Sequence, residues 1–171
     1  MAFNTLKTSL GFWLSILGKY SPFRFRKNSI VNIFNYLPIN ESITTSGQPT
    51  AEQFSLIGAE GFLSVINLAP HHAENALPDE PAVLANLGIA YTHIPVDFKN
   101  PTEADYQHFV AAMKAHTGAK VWVHCAANMR VSAFVYRYRV GELKEDSELA
   151  RRDLEKVWQP FGVWKNFISQ T

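Results

Sequence analysis

The chain has a single cysteine, Cys125, in 171 residues, so no disulfide can form within it. That usage fits a reducing compartment, and the cytoplasm is the expected location. No internal repeat and no low-complexity tract occurs. No apolar run is long enough to cross a bilayer. Acid is missing from the first 40 positions, where Lys7, Lys19, Arg24, Arg26 and Lys27 have no counter-charge. The net charge of +1 therefore hides a net-negative remainder, which is not suited to coating nucleic acid. The His71–His72 pair has no second cysteine and no HExxH-like spacing beside it, so no metal site is expected, and no organic cofactor is implied.

What is present describes one globular domain: 47% hydrophobic, 13% aromatic and 18% charged residues. A domain of this length buries roughly 70% of its unfolded surface and needs no staples. The expected division is an N-terminal basic amphipathic segment over 1–29 and a catalytic domain over 30–171. In LKTSLGFWLSILGKY, Leu6, Leu10, Trp13, Leu14 and Leu17 share one helical side, with Lys7, Thr8, Gly11, Ser15 and Gly18 on the other. SPFRFRKNS then mixes basic and aromatic residues. A lysine precedes the apolar stretch, as in a signal peptide, but no A-x-A-like cleavage site follows. The favoured reading is a helix packed on its own domain or a loose arm. Peripheral contact of residues 1–29 with an anionic membrane is the alternative.

Along the rest of the chain, SIVNIFNYLPI (29–39) reads as a strand or extended entry and TTSGQPT as a turn. Thr50 caps a helix with Gln53 three residues on, ending at Gly61. FLSVINLA (62–69), IAYTHIPV (89–96) and KVWVHC (120–125) read as buried strands. Pro81 opens a helix that Gly88 closes, and Thr102 caps another with Glu103 and Asp105 in its first turn. VSAFVYRYRV, SELARRDLEKVWQ and a short segment around Trp164 close the chain as helices, with Trp158 and Trp164 in the core. Strands alternating with helices predict an α/β, three-layer sandwich with a central, mostly parallel sheet. Ligands in such sheets bind beyond the carboxyl ends of the strands, where loops 69–80, 97–101 and 125–131 emerge.

The chemistry concentrates in VWVHCAANMRVSAF (121–134). Cys125 ends a strand and precedes a helix. Backbone N–H groups of such a loop form an anion-binding concavity, and the helix dipole adds positive potential. Both favour the thiolate, the nucleophilic form. Arg130 suits a phosphate dianion because its planar fork gives two parallel hydrogen bonds. Ser132 is placed to donate to the thiolate as a leaving group, and His124 to orient the loop through its backbone.

HCAANMRVS resembles the phosphate-binding loop of cysteine-dependent protein phosphatases, usually His-Cys, five residues, Arg, then Ser or Thr. TSGQPT (45–50), GFLSVINL (61–68), AYTHIPVDFKNPT (90–102), VHCAANMRVSAFVYRY (123–138) and VWQPFGVWKNFI (157–168) together resemble one bacterial branch. That branch is the DUF442-type group also found fused to β-lactamase-like hydrolases. The resemblance covers roughly residues 30–170. It implies phosphate binding by Ala126, Ala127, Asn128, Met129, Arg130, Val131 and Ser132, with Cys125 as nucleophile. It also implies a phosphorylated protein or small phosphomonoester as substrate.

The sequence departs from the superfamily in two places. Four residues, not five, separate Cys125 from Arg130, as in the bacterial branch. Asn128 stands where glycine is usual, and Asn tolerates positive φ better than most residues. Either the loop keeps its length and Arg130 sits one position early, or the loop is one residue tighter and Ser132 shifts. The short spacing also resembles rhodanese-type sulfurtransferases, which would carry a persulfide on Cys125. A catalytically weak phosphate- or phosphopeptide-binding module is a third reading.

A phosphatase of this kind needs a carboxylic acid to protonate the leaving oxygen. Asp97 follows a strand at the correct edge and matches the position where the superfamily carries its acid. Glu103 and Asp105 are fallbacks, and Asp79 and Glu80 reach the site from the 69–80 loop. His71, His72 and Asn75 are expected at the pocket rim.

Overall fold

The computed structural model describes residues 3–19 and 29–170. Five strands form one sheet: β1 (Leu37–Pro38), β2 (Ile43–Ser46), β3 (Ser64–Asn67), β4 (Ala90–His93) and β5 (Val121–His124), in the order β1-β2-β5-β3-β4. Only β1 runs antiparallel. The other pairs are parallel, and β5 lies between β2 and β3 with His124 level with Ser46 and Asn67. The expected central, mostly parallel sheet is thus present. β3, β4 and β5 coincide with the apolar runs.

Two expectations fail locally. The 29–39 segment forms a 3-10 turn at Ile30–Asn32 before the two-residue β1, not one extended strand. Ile43–Ser46 is a strand and not part of a turn. Thr44 and Thr45 are β-branched and fully buried, so they fit a pleated sheet despite their hydroxyls. The Gly-Gln-Pro turn signal begins only one residue later.

Helices cover both faces. On one side lie α2 (Ala51–Ala59) and α3 (Glu80–Asn86). Trp122 packs there with Phe54, Ile57 and Leu84, and its indole N–H donates to Ser46 Oγ at 2.9 Å. On the other side lie α4 (Glu103–Ala115), α5 (Met129–Gly141), α6 (Ser147–Val157) and α7 (Val163–Ile168). Val121 and Val123 join their core, where Phe134, Trp158 and Trp164 are buried. The two faces of β5 therefore anchor both cores, and the chain leaves the sheet at Cys125. Thr50 and Thr102 both form capping boxes, with Gln53 and Asp105 as partners.

Helix α1 (Phe3–Lys19) packs on the domain with its polar side inward. Asn4 Nδ2 donates to Glu155 O at 2.8 Å, and Gln159 N donates to Thr5 Oγ1 at 2.9 Å. Thr8 is buried, and its hydroxyl donates to Val157 O. Gly11 comes so close to Phe34 that a Cβ would sit 2.8 Å from the ring. Leu6, Leu10, Trp13 and Leu14 are each more than half exposed. The basic stretch of SPFRFRKNS lies outside the described residues up to Asn28. No described helix is long and apolar enough to cross a membrane.

Candidate active site

The cradle is built by fixing carbonyls outward. Cys125 N still follows the sheet, donating to Ser46 O at 3.3 Å. After it, Ala126 O accepts from Gln48 N at 3.3 Å and from Asn75 Nδ2 at 2.9 Å. Ala127 O accepts from Asn35 Nδ2 at 3.0 Å. A trans peptide points its N–H opposite to its C=O, so these bonds turn the N–H groups of Ala127 and Asn128 to the other side of the loop.

Asn128 takes the left-handed conformation, with φ 65°. Its side chain compensates: Nδ2 donates to Asn35 O at 2.8 Å and to Thr45 Oγ1 at 2.9 Å. Helix α5 starts at the next residue, so the first-turn N–H groups of Met129, Arg130 and Val131 have no helical acceptor. The antiparallel bridge between Gly47 and Ala127 holds one edge of the loop, and among the described residues the N–H groups of Ala126, Ala127, Met129, Arg130 and Val131 donate to no protein acceptor. Free N–H donors gathered around a helix N-terminus suit an anion.

Cys125, 1% exposed, lies at the base of a cavity of about 240 Å³. Ala126, Ala127, Met129 and Arg130 complete its loop side, while Phe98 and the α1 residues Ser9, Phe12 and Trp13 form the rest of its wall. The Arg130 guanidinium carbon lies 5.4 Å from the centre of the Phe98 ring. Its Nε is buried without a partner among the described residues. An unpaired buried guanidinium N–H is costly unless an anion accepts from it. The arrangement corresponds to the tighter of the two loops: Arg130 reaches the cavity, and the residues beyond it move away.

Ser132 does not donate to Cys125. Its Oγ donates to Met129 O at 3.1 Å and accepts from Trp158 Nε1 at 3.2 Å, because α5 has already begun and places it one turn along. Val131 contributes only backbone, since its side chain is buried in the core. His124 also acts differently from expectation. Its Nε2 meets Glu80 Oε1 at 3.1 Å, and its Nδ1 has no partner among the described residues. Glu80 further accepts from Asn67 Nδ2 at 2.8 Å and from Gln48 Nε2. Burial alone would raise the Glu80 carboxyl, but His124, Gln48 and Tyr91 outweigh it and hold it well below the usual carboxylate range. The sequence signal for this network was a glutamate opening a short helix, which reads as an ordinary first-turn acid.

The carboxylates separate into committed and free. Glu103 pairs with Arg137 at 2.9 Å, and Asp105 accepts from Thr102 N at 2.9 Å. Asp79 occupies the N-cap of α3. Asp97 is exposed in the loop after β4, its carboxylate accepting from Lys99 N at 2.9 Å and its carbonyl from Asn100 N at 3.2 Å, one residue from the cavity wall at Phe98. His71 is not among the residues that line the cavity; it stacks on His93 at 3.8 Å, and its Nε2 lies 3.3 Å from Tyr91 Oη. Burial pushes the His93 imidazole down despite its contact with Ala69 O at 2.8 Å. A shallower depression of about 340 Å³ between α2 and α3 offers one carboxylate, Glu52, and one hydroxyl, Ser55.

The mostly parallel sheet leads through β5 into a loop that carries Cys125 and Arg130 to one cavity, and the solved structures this domain resembles have the cysteine-phosphatase fold. The family described as "DSP-PTPase phosphatase fused to NAD+ Kinase" matches residues 38–162, and the chain belongs to it. A β-lactamase hydrolase-like protein of Xylella fastidiosa (strain Temecula1) is 34% identical over 127 residues, which is 72% of this chain. The match spans only 28% of that relative's length. A crystal structure of a DUF442 phosphatase-group protein from Shewanella putrefaciens CN-32 is 32% identical. It superposes with a TM-score of 0.75, covering 82% of this chain and 93% of that one. P. aeruginosa TpbA, solved with phosphotyrosine, shares the fold at 17% identity and TM-score 0.60, over 80% of each chain.

Proposed function

We propose that the chain is a cysteine-dependent phosphomonoester hydrolase. The observation that carries this reading is the convergence on one cavity of Cys125, the unpartnered Arg130 Nε, and loop residues Ala126, Ala127, Met129 and Arg130, whose N–H groups are unused. In the first step the Cys125 thiolate attacks phosphorus. The S–P bond forms as the ester P–O bond breaks, and Asp97 gives its proton to the departing oxygen. Arg130 and the N–H groups of 126–131 hold the equatorial oxygens, whose charge they stabilise without reorganising. In the second step water attacks phosphorus, Asp97 takes its proton, and the S–P bond breaks to release inorganic phosphate. Ser132 has no part in this scheme, because its hydroxyl is committed to Met129 O. The loop carrying Asp97 must swing its carboxylate inward from its bond with Lys99 N.

The test is hydrolysis of an aryl phosphate by the wild type and by Cys125→Ser, with sulfur transfer from thiosulfate to cyanide run in parallel. Aryl phosphate turnover that disappears with the thiol supports the proposal. Cys125-dependent thiocyanate without phosphate release rejects it in favour of a persulfide carrier.

A further inference from the structure

Helix α1 is inverted relative to a helix that packs by its apolar face. Its short polar side chains, Asn4, Thr5 and Thr8, bond backbone groups at the end of α6 and just beyond it. Gly11 on the same side permits close approach to Phe34. Nothing in the described domain covers the opposite side, where Leu6 is 67% exposed, Leu10 58%, Trp13 56% and Leu14 57%. Such a stripe in water is unfavourable and marks an interaction surface. Its charge surroundings indicate the partner. Lys7 flanks the stripe, Lys19, Arg24, Arg26 and Lys27 follow, and no acid occurs among the first 40 residues. An apolar stripe with basic flanks complements an anionic bilayer surface. The helix is too short and too polar on one side to span it.

The stripe is also continuous with the cavity. Trp13 belongs to both, and Ser9 and Phe12 from the same helix line the wall beside Cys125 and Arg130. A surface that seats α1 therefore brings its headgroups to the cavity mouth. Phe12, Trp13, Phe98 and Met129 suit the apolar root of a substrate, while the cradle takes its phosphate.

We infer that α1 docks the domain on an anionic membrane and that the cavity takes a phosphomonoester carried by a lipid of that membrane. The lipid half of this inference rests on the hydrolase reading above. The docking half does not.

The test uses the full chain and the double variant Leu10→Glu/Leu14→Glu, at exposed positions outside the cavity wall. Flotation is measured with vesicles of phosphatidylcholine alone, and with phosphatidylglycerol as about a third of the lipid. Phosphate release is measured from phosphatidic acid and a phosphatidylinositol monophosphate in the same vesicles, and from a soluble aryl phosphate. The wild type should float with the anionic vesicles and be released by high salt. The variant should lose flotation and at least about tenfold of its lipid phosphate release while keeping aryl phosphate turnover. Absence of flotation, or flotation unchanged in the variant, overturns the docking. So does a wild-type dimer that the variant converts to monomer, because a second copy would then cover the stripe. Flotation with aryl phosphate turnover but no release from either lipid overturns the lipid substrate alone. Flotation without turnover of any phosphate ester would instead reject the hydrolase reading and leave docking standing.

Discussion

His124 Nε2 and Glu80 Oε1 lie 3.1 Å apart, and both side chains are buried, 0% and 2% exposed. The contact joins the residue before Cys125 to the first turn of α3. Removing one partner of a buried hydrogen-bonded pair leaves the other unsatisfied, which costs about 1–3 kcal/mol. Glu80→Ala should lower the urea unfolding free energy by that amount, and it also orphans Asn67 Nδ2 and Gln48 Nε2.

The same pair predicts an acid limit. Glu80 titrates lower in the folded chain than in the unfolded one. Its contribution to stability is therefore complete above pH 4.5 and is lost as the pH falls from 4.5 to about 2. Urea midpoints across that range should fall less steeply for Glu80→Gln than for the wild type. Parallel curves would exclude Glu80 as a source of the acid sensitivity.

Arg130→Lys tests whether the fork geometry matters. Lysine keeps the charge but gives up the paired donors and the stacking on Phe98. Aryl phosphate kcat/KM should fall about a hundredfold or more, with thermal stability little changed. Retention of full activity would mean that the guanidinium does not touch the transferring phosphoryl group.

Asn128 carries two roles that substitution can separate. Asn128→Ala loses both Nδ2 hydrogen bonds and places a Cβ at φ 65° without compensation. The expected loss is about 2–4 kcal/mol by chemical denaturation. Asn128→Gly loses the same bonds without the strain, so it should be the more stable variant of the two.

For Asp97, the leaving group is the discriminating variable. Asp97→Asn should cost about 10²–10⁴-fold on an alkyl phosphate, whose oxygen needs a proton to depart. It should cost far less on a nitrophenyl phosphate, whose oxygen does not. Equal losses on both substrates would assign Asp97 a structural role in the loop it shares with Lys99.

Much of this was legible because local physics and fold agreed. The apolar runs became β3 to β5, Thr50 and Thr102 capped their helices, and Trp158 and Trp164 entered the core. β2 was hidden because Ile-Thr-Thr-Ser carries polar atoms into a buried strand. The side of α1 that faces the domain followed from hydrogen bonds to α6 carbonyls, which no periodicity encodes. In the site, Cys125 and Arg130 reached one cavity as their residue types suggested. Ser132 and His124 did not follow the expected pattern, because the tight loop shifts one and the distant Glu80 captures the other. Asn35 and Gln48 were invisible as site residues, since nothing in their own neighbourhoods marks them as partners of the loop.

The bonds that hold Ala126 and Ala127 open arrive from far along the chain: 51 residues away for Asn75 and 92 for Asn35. Asn128 reaches back across 93. Contacts of such high sequence separation are the slow ones to close. The cradle is therefore among the last features to be assembled, and no partly folded chain displays it. Inorganic phosphate or vanadate should bind the native state and little else, raising the melting temperature by mass action. A ligand-dependent thermal shift would then report the completed fold as well as the loop, which makes it a quality check for every variant proposed above.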